Sequence, residues 1–165
     1  MIQVLMFDLG GTLIDQDRHP FPHVSDALTA ISGFKTAAGA PLVSCLVSDF
    51  DQAAPFTPAN VNAKFEEYLA ILDATGLRTS FDPVDKRVTL STHANVRKPN
   101  RAIFEKALER LGSPAPLEDC LFITEDDAHI KAARTHLHMQ ALQFGKDFED
   151  WSQAPAVIAH LVAAS

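Results

Sequence analysis

Short apolar runs alternate with helix-spaced apolar stripes along the whole chain. The runs contain few polar residues, which is typical of strands that are covered on both faces of a sheet. The stripes repeat every three or four residues, which is the period of an amphipathic helix. The predicted strands are 2–7, 42–47, 87–91, 120–123 and 140–144. The predicted helices are 27–39, 58–76, 99–112, 127–137 and 155–162.

Turn and capping residues separate these segments. Thr57 can cap a helix whose first residue is Pro58, and Gly76 and Gly112 are typical helix-ending residues. Strands and helices therefore alternate with short connections, which is the pattern of an α/β fold. We expect a doubly wound, mostly parallel sheet with helices on both faces. A length of 165 residues, of which 47% are hydrophobic, fits one such domain.

The composition of the chain limits which binding partners and which cellular compartment we expect. The formal net charge of −7 argues against a nucleic-acid backbone or an anionic membrane surface as the main partner. Cys45 and Cys120 lie inside predicted strands and provide neither metal-ligand spacing nor a disulfide framework. No segment has the pattern of a signal peptide or the roughly 20 apolar residues that span a bilayer. We therefore expect a cytoplasmic protein; the oligomeric state stays open.

Several chemically capable side chains come directly after predicted strands or before a predicted helix. Asp8 follows the first strand, Ser48 the second and the acidic turn 125–127 the fourth, while Lys98 precedes a helix. The carboxyl ends of strands in a doubly wound sheet meet at one edge, so we expect these groups to converge. A carboxylate nucleophile, a hydroxyl, an ammonium and an acidic magnesium site suit phosphoryl transfer through an aspartyl phosphate. Asp8 alone would more often start a turn.

Four segments resemble the motifs of the haloacid dehalogenase-like (HAD) hydrolases. The stretch from Phe7 to Leu13 resembles the first motif, and Leu46-Val47-Ser48 resembles the second. Lys98-Pro99 resembles the third motif, and the stretch from Leu121 to Glu125 resembles a degenerate fourth motif. The motifs occur in the family's order and span nearly the whole chain. The resemblance implies an HAD-like, Rossmann-like fold and a magnesium-dependent phosphohydrolase.

The resemblance also implies a role for each matching residue. Asp8 is the expected nucleophile, and the groups expected to hold phosphate are Ser48, Lys98, Gly11 and Thr12. The magnesium ligands implied by the family's pattern are Asp8, the Gly10 carbonyl, Glu125 and Asp126, with Asp127 as a further possibility in the same turn.

Two departures from the family's pattern weaken the expected activity. The family usually carries a second Asp two residues after the nucleophile, where this chain has Gly10. Loss of such a general acid and base costs a factor of about 10²–10⁴, so poor leaving groups should depart slowly and the aspartyl phosphate should hydrolyse slowly. In the fourth motif the usual Gly-Asp and a later Asp are Thr124-Glu125 and His129, which puts the metal site in doubt.

The spacing of the motifs predicts a single HAD-like core domain, 1–165, without a full cap domain. About 30 residues lie between Asp15 and Ser48 and about 50 between Ser48 and Lys98, and these intervals are too short for one. An open site suits a phosphorylated small molecule or macromolecule. The alternative hypothesis is a pseudoenzyme, an HAD-fold module that binds a partner or phosphate without turnover. Asp49, which follows Ser48, is expected to be a solvated side chain.

Overall fold

The sheet has five strands, all parallel, in the order β3-β2-β1-β4-β5. A computed structural model describes every residue from Met1 to Ser165. The strands are β1 (Val4–Phe7), β2 (Val43–Ser48), β3 (Val88–Leu90), β4 (Cys120–Thr124) and β5 (Gln140–Gln143). The helices are α1 (Val24–Ser32), α2 (Pro58–Thr75), α3 (Val84–Arg87), α4 (Ser91–Ala94), α5 (Arg101–Leu111), α6 (Asp127–Ala132) and α7 (Ala154–Ala164).

Helices cover both faces of the sheet, as the apolar strand runs predicted. Successive residues of a strand point to opposite faces, so β1 contributes to two separate apolar cores. Leu5 and Phe7 belong to a core of 28 buried residues that includes residues from α1, α2 and α7. Val4 and Met6 belong to a core of 17 buried residues on the other face, with α5 and α6. The doubly wound α/β architecture is thereby confirmed, and the sheet is wholly parallel.

The first helix is shorter than predicted. It ends at Ser32 rather than near residue 39, where Gly33 N–H donates to Ala30 O at 3.2 Å and Phe34 N–H donates to Ile31 O at 3.0 Å. Phe34 leaves the helix because its carbonyl accepts a hydrogen bond of 2.9 Å from Leu42 N–H, just before β2. A tertiary backbone contact thus overrides the helical pattern of the sequence.

The region around β3 also differs from the prediction. The predicted strand 87–91 shrinks to three residues because Arg87 ends α3 and Ser91 begins α4. The predicted loop 78–85 contains a 3₁₀ turn at Arg78–Phe81, and the predicted helix to residue 137 finishes as a π-helical turn at Ala133–Leu137. None of the helices combines the length and apolar character needed to cross a bilayer.

Candidate active site

Three strand ends meet at the carboxyl edge of the sheet; two of them carry the predicted Asp8 and Ser48, and the third carries Thr124. Asp8 follows β1 directly, and its N–H donates to Ile123 O at 3.0 Å, which continues the β1–β4 ladder. Ser48 is the last residue of β2 and Thr124 the last residue of β4, so they flank the central Asp8. The parallel sheet therefore presents these three polar groups side by side, as strand-end placement predicts.

Asp8 and Lys98 form a buried ion pair at the centre of this edge. Lys98 Nζ lies 2.6 Å from Asp8 Oδ1, and their side chains are only 1% and 11% exposed. The lysine is held from two further directions: its backbone N–H donates to Asp49 Oδ1 at 2.9 Å, and its ammonium lies 5.6 Å from the centre of the Phe122 ring. A buried charge pair with several contacts is rigid, and removing one partner typically costs about 3–5 kcal/mol.

The remaining contacts fix the orientation of the Asp8 carboxylate. Oδ1 also accepts from Leu9 N–H at 2.8 Å, while Oδ2 accepts from the Thr124 hydroxyl at 3.0 Å. The carboxylate thus has donors on both oxygens and cannot rotate freely. A carboxylate fixed in this way would be preorganised if it acted as a nucleophile.

Glu125 lies under the turn that follows Asp8. Its carboxylate accepts a hydrogen bond from the Thr12 hydroxyl, and its backbone N–H donates to the same hydroxyl at 3.2 Å. Gly11 has a φ of +74°, and a Cβ at this position would lie 2.5 Å from Glu125 Oε1. The left-handed backbone therefore favours glycine at position 11, and a Cβ there would also force the Glu125 side chain to move.

The three carboxylates implied as magnesium ligands, those of Asp8, Glu125 and Asp126, do not all lie within 4.8 Å of one another. The Thr124 hydroxyl lies between two of them, 3.0 Å from Asp8 Oδ2 and 3.2 Å from Glu125 Oε2. Asp126 Oδ1 accepts from His129 N–H at 2.9 Å and so caps α6. Magnesium requires near-octahedral oxygen ligands at about 2.1 Å, and the side chains as placed do not fit that arrangement. Magnesium binding by this chain stays a prediction.

Some groups near the candidate phosphate site already donate hydrogen bonds within the chain, and others do not. The backbone N–H of Gly11 donates to Ile14 O at 2.7 Å and that of Thr12 to Leu9 O at 3.2 Å, so both are used within the turn. The Ser48 hydroxyl makes a long contact of 3.5 Å to Asp49 O and lies near the Tyr68 phenol. The N–H groups of Gly10 and Asp49 donate to no other group of the chain. Ser48 and these two amides are therefore available to an anion.

An open pocket of about 360 Å³ leads to these donors. Its lining includes Gly10, Ser48, Asp49, Phe50 and Tyr68. The sequence did not single out Tyr68, because its spacing places it on the apolar face of α2. Burial raises the pKa of its phenol, and the nearby Ser48 hydroxyl opposes part of that shift. Tyr68 therefore stays protonated and can donate a hydrogen bond.

The environment of Asp49 differs from the prediction that its side chain is solvated. Its side chain is not simply solvated, because Oδ1 accepts the hydrogen bond from Lys98 N–H that positions the buried lysine. No sequence signal distinguished this aspartate from the exposed Asp51 two residues later.

Comparisons with known proteins address the fold. No family model matches the chain, and no curated protein is similar to it in sequence. Solved structures are similar in fold. An uncharacterized protein from Corynebacterium glutamicum is 17% identical with a TM-score of 0.57, and the alignment covers 98% of this chain and 96% of that protein.

Two of the similar structures are HAD proteins. The L-2-haloacid dehalogenase of Xanthobacter autotrophicus is 16% identical with a TM-score of 0.59, and the alignment covers 87% of this chain and 77% of the enzyme. The putative HAD-hydrolase YfnB of Bacillus subtilis, solved with bound magnesium, is 14% identical with a TM-score of 0.56, over 80% of this chain and 47% of that protein. Together with the five-stranded parallel sheet, these similarities show that the chain has the HAD-like fold.

Proposed function

We propose that the chain is a phosphohydrolase that transfers a phosphoryl group to Asp8 and then to water. The observation that carries this proposal is the buried Asp8–Lys98 pair, whose chain neighbour Leu9 lines an open pocket together with Gly10 and Ser48. The carboxylate provides a nucleophile, and the ammonium beside it can neutralise charge on a phosphoryl oxygen. The free Ser48 hydroxyl and the free amides of Gly10 and Asp49 would complete the cradle for the other oxygens.

The first step forms a covalent intermediate. An Asp8 carboxylate oxygen attacks phosphorus, the bond from phosphorus to the ester or acyl oxygen breaks, and the leaving group departs with the electron pair. Gly10 carries no side chain that could protonate the departing oxygen. The step should therefore favour aryl and acyl phosphates, whose leaving groups are stable as anions, over alkyl phosphates.

The second step regenerates the enzyme. Water attacks phosphorus, the bond from phosphorus to the Asp8 oxygen breaks, and inorganic phosphate leaves. No carboxylate at position 10 is available to take a proton from that water. Hydrolysis of the aspartyl phosphate should therefore be the slow step, so the intermediate should accumulate during turnover.

The role of magnesium in this proposal comes from the resemblance to the HAD family. YfnB was solved with magnesium, but the carboxylates of the present chain are not arranged around a common position. The two steps above use no metal ion. Assays are therefore run both with magnesium and with a chelator.

A burst assay tests the proposed function. When the protein is mixed with an excess of p-nitrophenyl phosphate, p-nitrophenol should appear in a fast phase of about one molecule per protein molecule, followed by slower steady release. Stopped-flow absorbance measures both phases. The burst amplitude should scale with protein concentration and disappear when the protein is heat-denatured.

Two outcomes would contradict the proposal. Release of p-nitrophenol at the uncatalysed rate, with and without magnesium, would leave a binding module as the better account of the site. Turnover whose steady rate is much faster for alkyl than for aryl phosphates would show that another group protonates the leaving oxygen.

A further inference from the structure

The hydroxyl of Tyr68 is an unexplained polar group at the candidate active site. Tyr68 is 2% exposed, and its buried hydroxyl makes no hydrogen bond of good geometry, although the Ser48 hydroxyl is close enough to interact with it. Buried hydroxyls are almost always paired, because losing water without gaining a partner is unfavourable. A phenylalanine would fill the same space in the core without this cost. The free chain therefore leaves this hydroxyl without a well-formed hydrogen bond, and a ligand in the pocket could supply one.

The position of the phenol indicates which partner that is. Tyr68 lines the pocket that Gly10 and Ser48 also line. The negative charge of Asp8 contributes to raising the pKa of the phenol, and the Ser48 hydroxyl contributes to lowering it, so both groups lie within electrostatic reach of it. The hydroxyl thus lies close to the nucleophile and to the free donor at the end of β2.

The ring is held firmly enough to aim its hydroxyl. Tyr68 belongs to the larger apolar core, together with Phe65, Leu69 and Leu72 of the same helix. The ring of Phe50 packs edge-on against it, with 5.3 Å between the ring centres. Phe50 is in turn fixed by a reciprocal pair of hydrogen bonds between its backbone and the Ser91 hydroxyl. A donor fixed in this way loses little entropy when a ligand arrives.

We infer that the Tyr68 hydroxyl donates a hydrogen bond to the anionic phosphoryl group of the bound ligand, next to Ser48 and Lys98. This inference rests on the proposed function for the choice of phosphate as the ligand. The phenol supplies a hydrogen bond and transfers no proton, because it stays protonated in its buried position. It therefore stabilises a bound phosphoryl oxygen and does not replace the acid and base that Gly10 lacks.

Binding of inorganic phosphate to the chain and to Tyr68→Phe tests the inference without any need for turnover. Loss of one hydrogen bond to a charged ligand should raise the dissociation constant for phosphate about tenfold or more, as measured by isothermal titration calorimetry. Without phosphate, Tyr68→Phe should melt at the same temperature as the unmodified chain or higher, because the variant lacks the unpaired hydroxyl. The stabilisation of the chain by phosphate should be much smaller in the variant.

Thr36→Val is a matched control. Thr36 also carries a buried hydroxyl without a partner, but it lines a different pocket, formed with residues of α7. Its removal should leave the phosphate affinity unchanged. If the unmodified chain and Tyr68→Phe bind phosphate equally, or if the unmodified chain binds none, the inference is wrong.

Kinetics separate this inference from the proposed function. For a series of aryl phosphates, Tyr68→Phe should lower kcat/KM by a similar factor for every leaving group, because the hydrogen bond goes to the phosphoryl oxygens. A loss that grows as the leaving group becomes poorer would make the phenol a proton donor and overturn the inference. Phosphate binding that depends on Tyr68 in a protein without turnover would instead support the inference and contradict the proposed function.

Discussion

Replacing Asp8 by asparagine should abolish the burst of p-nitrophenol and reduce steady turnover of aryl phosphates by at least about 10³-fold. The amide oxygen is a poor nucleophile and cannot form the aspartyl phosphate. The substitution keeps the size of the side chain, and its oxygen can still accept a hydrogen bond from Lys98 Nζ, which lies 2.6 Å from Asp8 Oδ1. Initial rates and burst amplitudes measure the effect.

Two controls keep the Asp8→Asn result interpretable. Asp73→Asn makes the same chemical change at an exposed ion pair with Arg78, at the far end of α2, and should leave turnover unchanged. Thermal unfolding of Asp8→Asn reports whether the unpaired buried ammonium of Lys98 destabilises the fold, since breaking a buried pair often costs about 3–5 kcal/mol. A folded Asp8→Asn protein that keeps the burst would rule out Asp8 as the nucleophile.

Replacing Gly10 by aspartate should increase steady turnover, by about 10²-fold or more for alkyl phosphates. The new carboxyl would protonate the leaving oxygen and then accept a proton from the attacking water. The local structure tolerates the change: no atom lies within 4 Å of the position of a Cβ on Gly10, and its φ is not in the left-handed region. Gly11, by contrast, has no room for a Cβ.

Gly10→Asn separates proton transfer from simple filling of the pocket. Its amide has nearly the same size as a carboxyl but cannot donate or accept the proton at neutral pH. The aspartate variant should also lose the burst, because faster hydrolysis of the intermediate removes the slow second step. Equal rates in Gly10→Asp and Gly10→Asn, both at the level of the unmodified chain, would show that a missing acid and base is not what limits this site.

The strand pattern predicted the framework of the site well. Each apolar run ends at a polar residue, and a parallel sheet brings such ends to one edge, so Asp8 and Ser48 could be placed together from the sequence. Lys98 could be added because of its motif. The two apolar cores follow from the same alternation of strands and helices, whereas the strand order was not predicted.

The contacts of individual side chains at the site could not be predicted, because the same residue type can have several structural roles. Asp126 was a plausible metal ligand, but an aspartate three residues before a free helical N–H also caps a helix, and it does so here. Glu125 reaches the Thr12 hydroxyl under the turn, a contact that depends on the close approach at Gly11. Tyr68 follows the helical period of core residues, and the period does not reveal where its hydroxyl points.

Mass spectrometry of the protein quenched in acid during the burst shows directly whether Asp8 carries the phosphoryl group. Peptide mapping should find the mass of one phosphoryl group on Asp8 in the unmodified chain, and more of it in Gly10→Asn than in Gly10→Asp. The label should be absent from Asp8→Asn. An unlabelled Asp8 during rapid turnover, or a phosphoryl group on another residue, would contradict the account of this site.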